Sequence, residues 1–298
     1  MNDMYLVEKR HSTRDFKHYP LTDEDKRYLD GLWESPPDLI KTSGVEFKFI
    51  EDGFNLAPKL EGLAGYFGIM IHAPHYYAVY ADAHDLSYKL AGYIGEWFIL
   101  KAIKRDIGFC WIEVKEPESV KVNLGHHSPK EIVALIAIGY PKREFKQSTI
   151  YASSRPGNLS TLTELGYPNI DLQADPGPAR AHKSIMEMTH FESFDDVPSL
   201  NKIEQYGLNR PIFYMRYAPS YKNLQPWHFL IRSGNIYMIM HQPDFVPESI
   251  KCLDAGIGML YFEVGLNSSG FSGHWQFDNL SLPEALPPNY KIVGKYHY

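Results

Sequence analysis

The sequence predicts an α+β chain of two tandem, half-related α+β domains, residues 1–160 and 161–298. Three observations lead there. One plan runs twice: a long apolar helix, glycines, a tryptophan and a strand span Leu86 to Trp111 and again Leu253 to Trp275, each followed by a final apolar strand. Between the copies, from Arg155 to about Arg180, the chain is rich in Pro, Gly, Ser and Asn, including Asp175-Pro176-Gly177-Pro178, as a domain boundary would be. The interval between the copies is too long for a solenoid.

In order, a helix is expected from Asp23 to Trp33, broken by Ser35-Pro36-Pro37. Val45, Phe47 and Phe49 alternate with polar residues, as in a strand running into the turn at Glu51-Asp52-Gly53. His75 to Tyr80 reads as a strand, with Asp82 or Asp85 capping the helix that follows. Leu86, Leu90, Tyr93, Trp97 and Leu100 form that helix's apolar stripe, and Gly108 to Glu113 is the next strand. Leu124-Gly125 and Pro129 to Glu131 turn into a buried strand, Ile132 to Ile138, closed by Gly139-Tyr140-Pro141. Past the boundary we expect a helical stretch around His182 to His190, and then the segment from Asn201 to Tyr217. Phe229–Ile231 and Ile236–Ile239 flank Ser233-Gly234-Asn235 as a hairpin. Leu253, Ile257, Leu260, Tyr261 and Val264 stripe the second long helix, and Tyr290 to Val293 is the last strand.

Composition narrows the function classes. The 298 residues are 44% hydrophobic and 22% charged, as in a globular protein. A net charge of -6 does not suggest a nucleic-acid surface. No run approaches the roughly 20 apolar residues of a membrane span, and no leader pattern opens the chain, so no membrane partner and a cytoplasmic location are expected. Cys110 and Cys252 sit in apolar surroundings and read as reduced core thiols. No metal centre is expected, since the adjacent His126 and His127 cannot converge on one ion, and no Ser-His-Asp pattern stands out. The Asp254, Gly256, Gly258 cluster lacks the strand and turn of a dinucleotide fingerprint.

Two segments carry chemistry. Arg10, His11, Ser12 and Arg14 place two guanidiniums and a hydroxyl within five residues, a donor set suited to one phosphate, although a solvated charged segment would look the same. Ala218 to Phe229 packs two prolines, Ser220, Asn223, Gln225 and Trp227 into a shaped polar turn, which presents a ligand or merely satisfies its own backbone.

Both segments resemble the nitroreductase family of FMN-dependent NAD(P)H oxidoreductases. The first resembles its Arg-x-Ser-x-Arg/Lys phosphate motif; the second resembles its flavin-contacting Pro-Ser, Asn, Gln-Pro-Trp order, carried here by Pro219, Ser220, Asn223, Gln225, Pro226 and Trp227. The resemblance implies a nitroreductase-like fold and extends the flavin site to Tyr221 and to Trp111, Ile112 and Glu113, the last two beside flavin N5. It also implies a further basic residue, Arg155, at the phosphate. By the same resemblance, NAD(P)H donates electrons, a small-molecule acceptor such as a nitroaromatic or quinone receives them in ping-pong order, and no catalytic side-chain acid or base is required.

Each half lacks the other's motif: after Pro37 the first half reads Asp38-Leu39-Ile40-Lys41-Thr42, with no Asn and no Gln-Pro-Trp. The family typically builds its site across a homodimer. We therefore expect an intramolecular pseudo-dimer holding one FMN per chain, able to stay monomeric. The alternative is a flavin-binding or flavin-free scaffold of the same fold without turnover.

Overall fold

A computed structural model of the protein describes residues 4–34, 43–126, 128–142, 150–153, 171–174, 182–196, 198–278, 280–283 and 285–297. The chain divides into two units, Met1–Lys142 with Lys183–Tyr298, and Arg143–His182. In the smaller unit, β6 (Ile150–Ser153) pairs antiparallel with β7 (Asp171–Ala174). The 160/161 boundary expected from the sequence lies outside the described residues.

The larger unit carries two five-stranded sheets. The first orders β1 (Val45–Ile50), β3 (His75–Ala81), β5 (Glu131–Gly139), β4 (Gly108–Val114) and β2 (Ala64–Gly65), all antiparallel. The second orders β8 (Thr189–Phe191), β9 (Trp227–Arg232), β10 (Asn235–His241), β12 (Tyr290–His297) and β11 (His274–Gln276), antiparallel except for the β8–β9 pair. Setting β1, β3, β5 and β4 against β9, β10, β12 and β11 gives the same order and the same directions twice. The protein is thus an α+β pseudo-dimer of two half-related folds.

The halves meet through two helices. α4 (Asp85–Ala102) and α8 (Glu248–Ser268) are buried on nearly every side, as expected of helices apolar all round. Their crossing is close because two glycines sit in it. A Cβ on Gly92 would lie 2.1 Å from the Leu253 carbonyl oxygen, and one on Gly256 only 1.7 Å from that of Lys89. The same interval, 164 residues, relates Gly92 to Gly256, Lys89 to Leu253 and Trp111 to Trp275.

α1 (Met4–Lys9), α2 (Asp23–Leu32), α3 (Gly53–Leu60) and α5 (Pro117–Leu124) belong to the first half. α6 (Leu200–Gln205) and α7 (Asn209–Met215) lead into the polar turn before β9. Two local expectations are corrected. The cap of α4 is His84, whose ring accepts from the Ser87 N–H, not Asp82 or Asp85. The stretch from His182 to His190 is not helical but turns into β8, because Thr189–Phe191 find ladder partners on β9, a pairing no local pattern encodes. Among the described residues no helix is long and apolar enough to cross a membrane.

Candidate active site

The segment after α1 leaves the helix and lies along the start of β4. Ser12 bridges Phe109, and the Thr13 N–H donates to the Phe109 carbonyl at 2.9 Å. At the other end of the strand, β2 pairs Gly65 with Glu113 and Ala64 with Val114. Among the described residues no strand covers the outer edge of β4 between these contacts, at Cys110, Trp111 and Ile112. From Phe109 to Glu113 is about 13 Å at roughly 3.3 Å per residue.

Arg10 does not face that edge as a free cation. Its Nε donates to Glu96 Oε1 at 2.7 Å, its Nη2 approaches Oε2 at 3.4 Å, and its Nη1 donates to Ser12 Oγ at 3.0 Å. Glu96, wholly buried in α4, also accepts from Trp111 Nε1 at 2.7 Å and from the Tyr261 hydroxyl at 2.9 Å. One carboxylate thus ties together the N-terminal segment, β4 and α8. Burial alone would lower the pKa of Arg10, but the Glu96 charge and hydrogen bond outweigh it and raise it. Burial, and then the Glu96 charge, push the Tyr261 phenol up, so it remains a donor.

Arg14 is the exposed guanidinium of the segment. It stacks on the Tyr66 ring at 4.4 Å from the centroid and donates to the Tyr66 hydroxyl at 2.9 Å, with no carboxylate partner among the described residues. His11 is exposed, and its Nδ1 donates to the Lys9 carbonyl at 3.0 Å. Cys110 is buried, and desolvation pushes its thiol up to about 11, so it is inert at neutral pH.

The turn before β9 reaches the same strand from the second half. Lys222, Asn223 and Gln225 hold φ of 49°, 56° and 45°, left-handed conformations that cost of order 1–3 kcal/mol each in residues other than glycine. Hydrogen bonds from several elements hold the turn in place. Ser220 Oγ accepts the Gln225 N–H at 2.9 Å, buried Gln225 accepts the Lys183 N–H at 3.2 Å, and Asp254 of α8 accepts the Tyr221 N–H at 2.9 and 3.1 Å. The Tyr221 hydroxyl then lies 3.3 Å from both carboxylate oxygens of Glu113. Asp254 is buried, and desolvation pushes its pKa up to about 8.

The structure therefore brings Arg10, His11, Ser12 and Arg14 to one end of the open β4 edge and Tyr221, with its neighbours Pro219, Ser220 and Asn223, to the other. Trp111, Ile112 and Glu113 lie between. Arg155 lies outside the described residues. Sequence reading missed Glu96, Tyr261, Tyr66 and the role of Asp254. The available signal was the acids inside the apolar helices, Glu96 in α4 and Asp254 and Glu263 in α8, since a buried carboxylate needs a partner. Asp85, Glu248 and Cys252 also come within metal-ligand reach of one another, but the Lys291 ammonium sits 3.1 Å from Asp85 and 3.4 Å from Glu248.

The family model described as "Putative TM nitroreductase" matches residues 3–266. A solved Thermotoga maritima structure described as a "putative nitroreductase" shares the fold. Its TM-score is 0.58 at 16% identity, over 99% of this chain and 93% of that one. An FMN-dependent nitroreductase from Clostridium difficile aligns at 20% identity over 47% of this chain and 87% of its own, with a TM-score of 0.40. A Clostridium acetobutylicum structure described as a "putative NADH oxidase" aligns at 19% identity over 46% of this chain and 88% of its own, with a TM-score of 0.38. A search of curated proteins returned no match.

Proposed function

The chain belongs to the nitroreductase family, and from that premise we propose that it is an FMN-dependent NAD(P)H oxidoreductase holding one FMN per chain. Its acceptor is a small molecule, a nitroaromatic or a quinone, reduced in ping-pong order. The observation that carries this reading is the open β4 edge, bounded by an anion-binding segment at Ser12 and by a strained turn at Tyr221.

The residues present fit the cofactor. A phosphate of about -1.5 to -2 charges needs fixed donors, and Arg14 is a guanidinium with no carboxylate claiming it among the described residues. We assign the phosphate to Arg14, Ser12 and His11, with Arg155 as a further basic residue. Arg10 acts from behind, its Nη1 fixing the Ser12 hydroxyl while Glu96 fixes Arg10. Trp111, Ile112 and Glu113 are assigned to the flavin ring, and Pro219, Ser220, Tyr221 and Asn223 to its other flank. When bound, FMN supplies the hydride chemistry. The chain's own residues orient and enclose: Asp254 and Glu113 grip Tyr221 at its backbone N–H and its hydroxyl, fixing the turn without loss of entropy on binding. No side-chain acid or base is assigned.

A monomer suffices, because both flanks come from one chain. A cytoplasmic setting suits an NAD(P)H consumer with two buried, unpaired cysteines. One observation favours the scaffold alternative: Arg10 is committed to Glu96, which leaves the anion segment one free guanidinium short.

The test is spectroscopic. Yellow protein with about one flavin per chain, bleached by NADH or NADPH and recovering in air with an acceptor, supports the enzyme. Yellow protein that does not bleach supports a binder, colourless protein that cannot be reconstituted supports the scaffold, and two flavins per chain count against the single site. Arg14→Ala should weaken FMN about 10- to 100-fold, the loss of a charge-assisted hydrogen bond.

A further inference from the structure

The open edge of β4 has a counterpart in the second half. At the common interval of 164 residues, Trp111 corresponds to Trp275, Glu113 to Phe277 and Glu96 to Leu260. At the corresponding place, between the start of α4 and strands β11 and β12, lies a groove of about 950 Å³ lined by Lys89, His274, Trp275, Gln276, Phe277 and Lys291, among others. Its chemistry differs from the first site in two respects. Trp111 gives its indole N–H to Glu96, but leucine stands at position 260, and the buried Trp275 Nε1 has no partner among the described residues. Where the first half has Lys89 the second has Leu253, so the buried ammonium of this groove has no counterpart at the first site.

Lys89 is only 8% exposed. Its Nζ donates to the Val293 carbonyl at 2.9 Å and stands 5.6 Å from the centroid of the Phe277 ring, and among the described residues it forms no ion pair. An ammonium has three donors, and a buried one without a counter-ion is costly. Desolvation lowers its pKa against the weaker pull of Asp85, which also lines the groove, and of Glu248, and a ligand anion in contact with the ammonium would offset that burial. The nearby Lys291 is already shared by Asp85 and Glu248 at 3.1 and 3.4 Å. Asp278, also on the rim, is exposed and screened by solvent.

We propose that this groove is a second, flavin-independent ligand site for an aromatic carboxylate, its ring against Phe277 and Trp275 and its carboxylate on Lys89. Aromatic walls favour a planar ligand, and a charge-assisted bond to a buried ammonium selects the anion.

Benzoate, titrated calorimetrically into the full-length protein at pH 7, is the probe, with benzamide as its neutral analogue. The expected result is one saturable benzoate per chain, benzamide at least tenfold weaker, and benzoate at least tenfold weaker in Lys89→Met. Arg14→Ala should leave the benzoate affinity unchanged, which separates this groove from the β4 cleft. Absence of benzoate binding, equal affinity for benzamide, unchanged affinity in Lys89→Met, or loss of binding in Arg14→Ala would each overturn the proposal. Should Lys89→Met not fold, Phe277→Leu replaces it: weaker benzoate binding supports the site, and unchanged binding overturns it.

Discussion

Replacing Glu96 with glutamine keeps the size of the side chain and one acceptor but removes the charge that compensates Arg10. Both partners are buried, with side chains 0% and 4% exposed, so water cannot substitute. Removing one member of a buried pair costs about 3–5 kcal/mol. The amide must also choose between Trp111 and Tyr261 as donors, and leaving one buried donor unmet costs a further 1–3 kcal/mol or so. The sum consumes much of the roughly 5–15 kcal/mol by which proteins are stable. At about 2–4 °C per kcal/mol, Glu96→Gln should lower Tm by on the order of 10 °C. Arg10→Met should be nearly as harmful, since it strands Glu96. The double variant Arg10→Met/Glu96→Gln removes both charges together and should lose less than the two single losses combined, by about 2–4 kcal/mol of coupling, though the donor left unmet by the amide keeps it below wild type. Urea unfolding of the flavin-free protein, followed by far-UV circular dichroism, measures all four corners of this cycle. A Glu96→Gln loss under about 1 kcal/mol, or strict additivity in the double variant, would refute the hub.

Two further predictions concern the helix pair. Asp254 has a folded pKa of about 8, above the unfolded value near 4, so the folded state holds the extra proton between those limits; the contribution of Asp254 to stability is fully present below about pH 4 and is lost as pH rises toward 8. Asp254→Asn should abolish that decline between pH 5 and 8, read from urea midpoints, and an unchanged slope would count against it. Gly256→Ala would drive a methyl against the Lys89 carbonyl at 1.7 Å and force α4 and α8 apart, with an expected cost of about 1–3 kcal/mol or more in thermal unfolding. Gly31→Ala, at an exposed position of α2 with open space around it, supplies the comparison at a site away from the crossing.

The long helices were legible because their apolar stripes are local, and the twofold plan was legible because tryptophan and glycines recur at one spacing. The strand order was not, since β1 beside β3 and β12 beside β10 are pairings between distant residues. β8 was misread for the same reason: Thr189–Phe191 become a strand only because β9 is there to accept them. At the site, the donor-rich segment and the strained turn were readable as residue types. What the sequence hid was allegiance: nothing around Arg10 announces that a carboxylate 86 residues away has taken its charge. Asp254 was hidden likewise, a buried acid in an apolar helix whose partner is a backbone N–H of the turn.

The Gly92–Gly256 crossing joins unequal partners, glutamate answering leucine at 96 and 260, lysine answering leucine at 89 and 253. When two identical polypeptides associate, each substitution is copied onto both faces, so their crevices must evolve in lockstep. Here the tether ends that bondage. Dilution cannot separate the halves, and a change that equips one crevice for a new guest leaves its twin untouched.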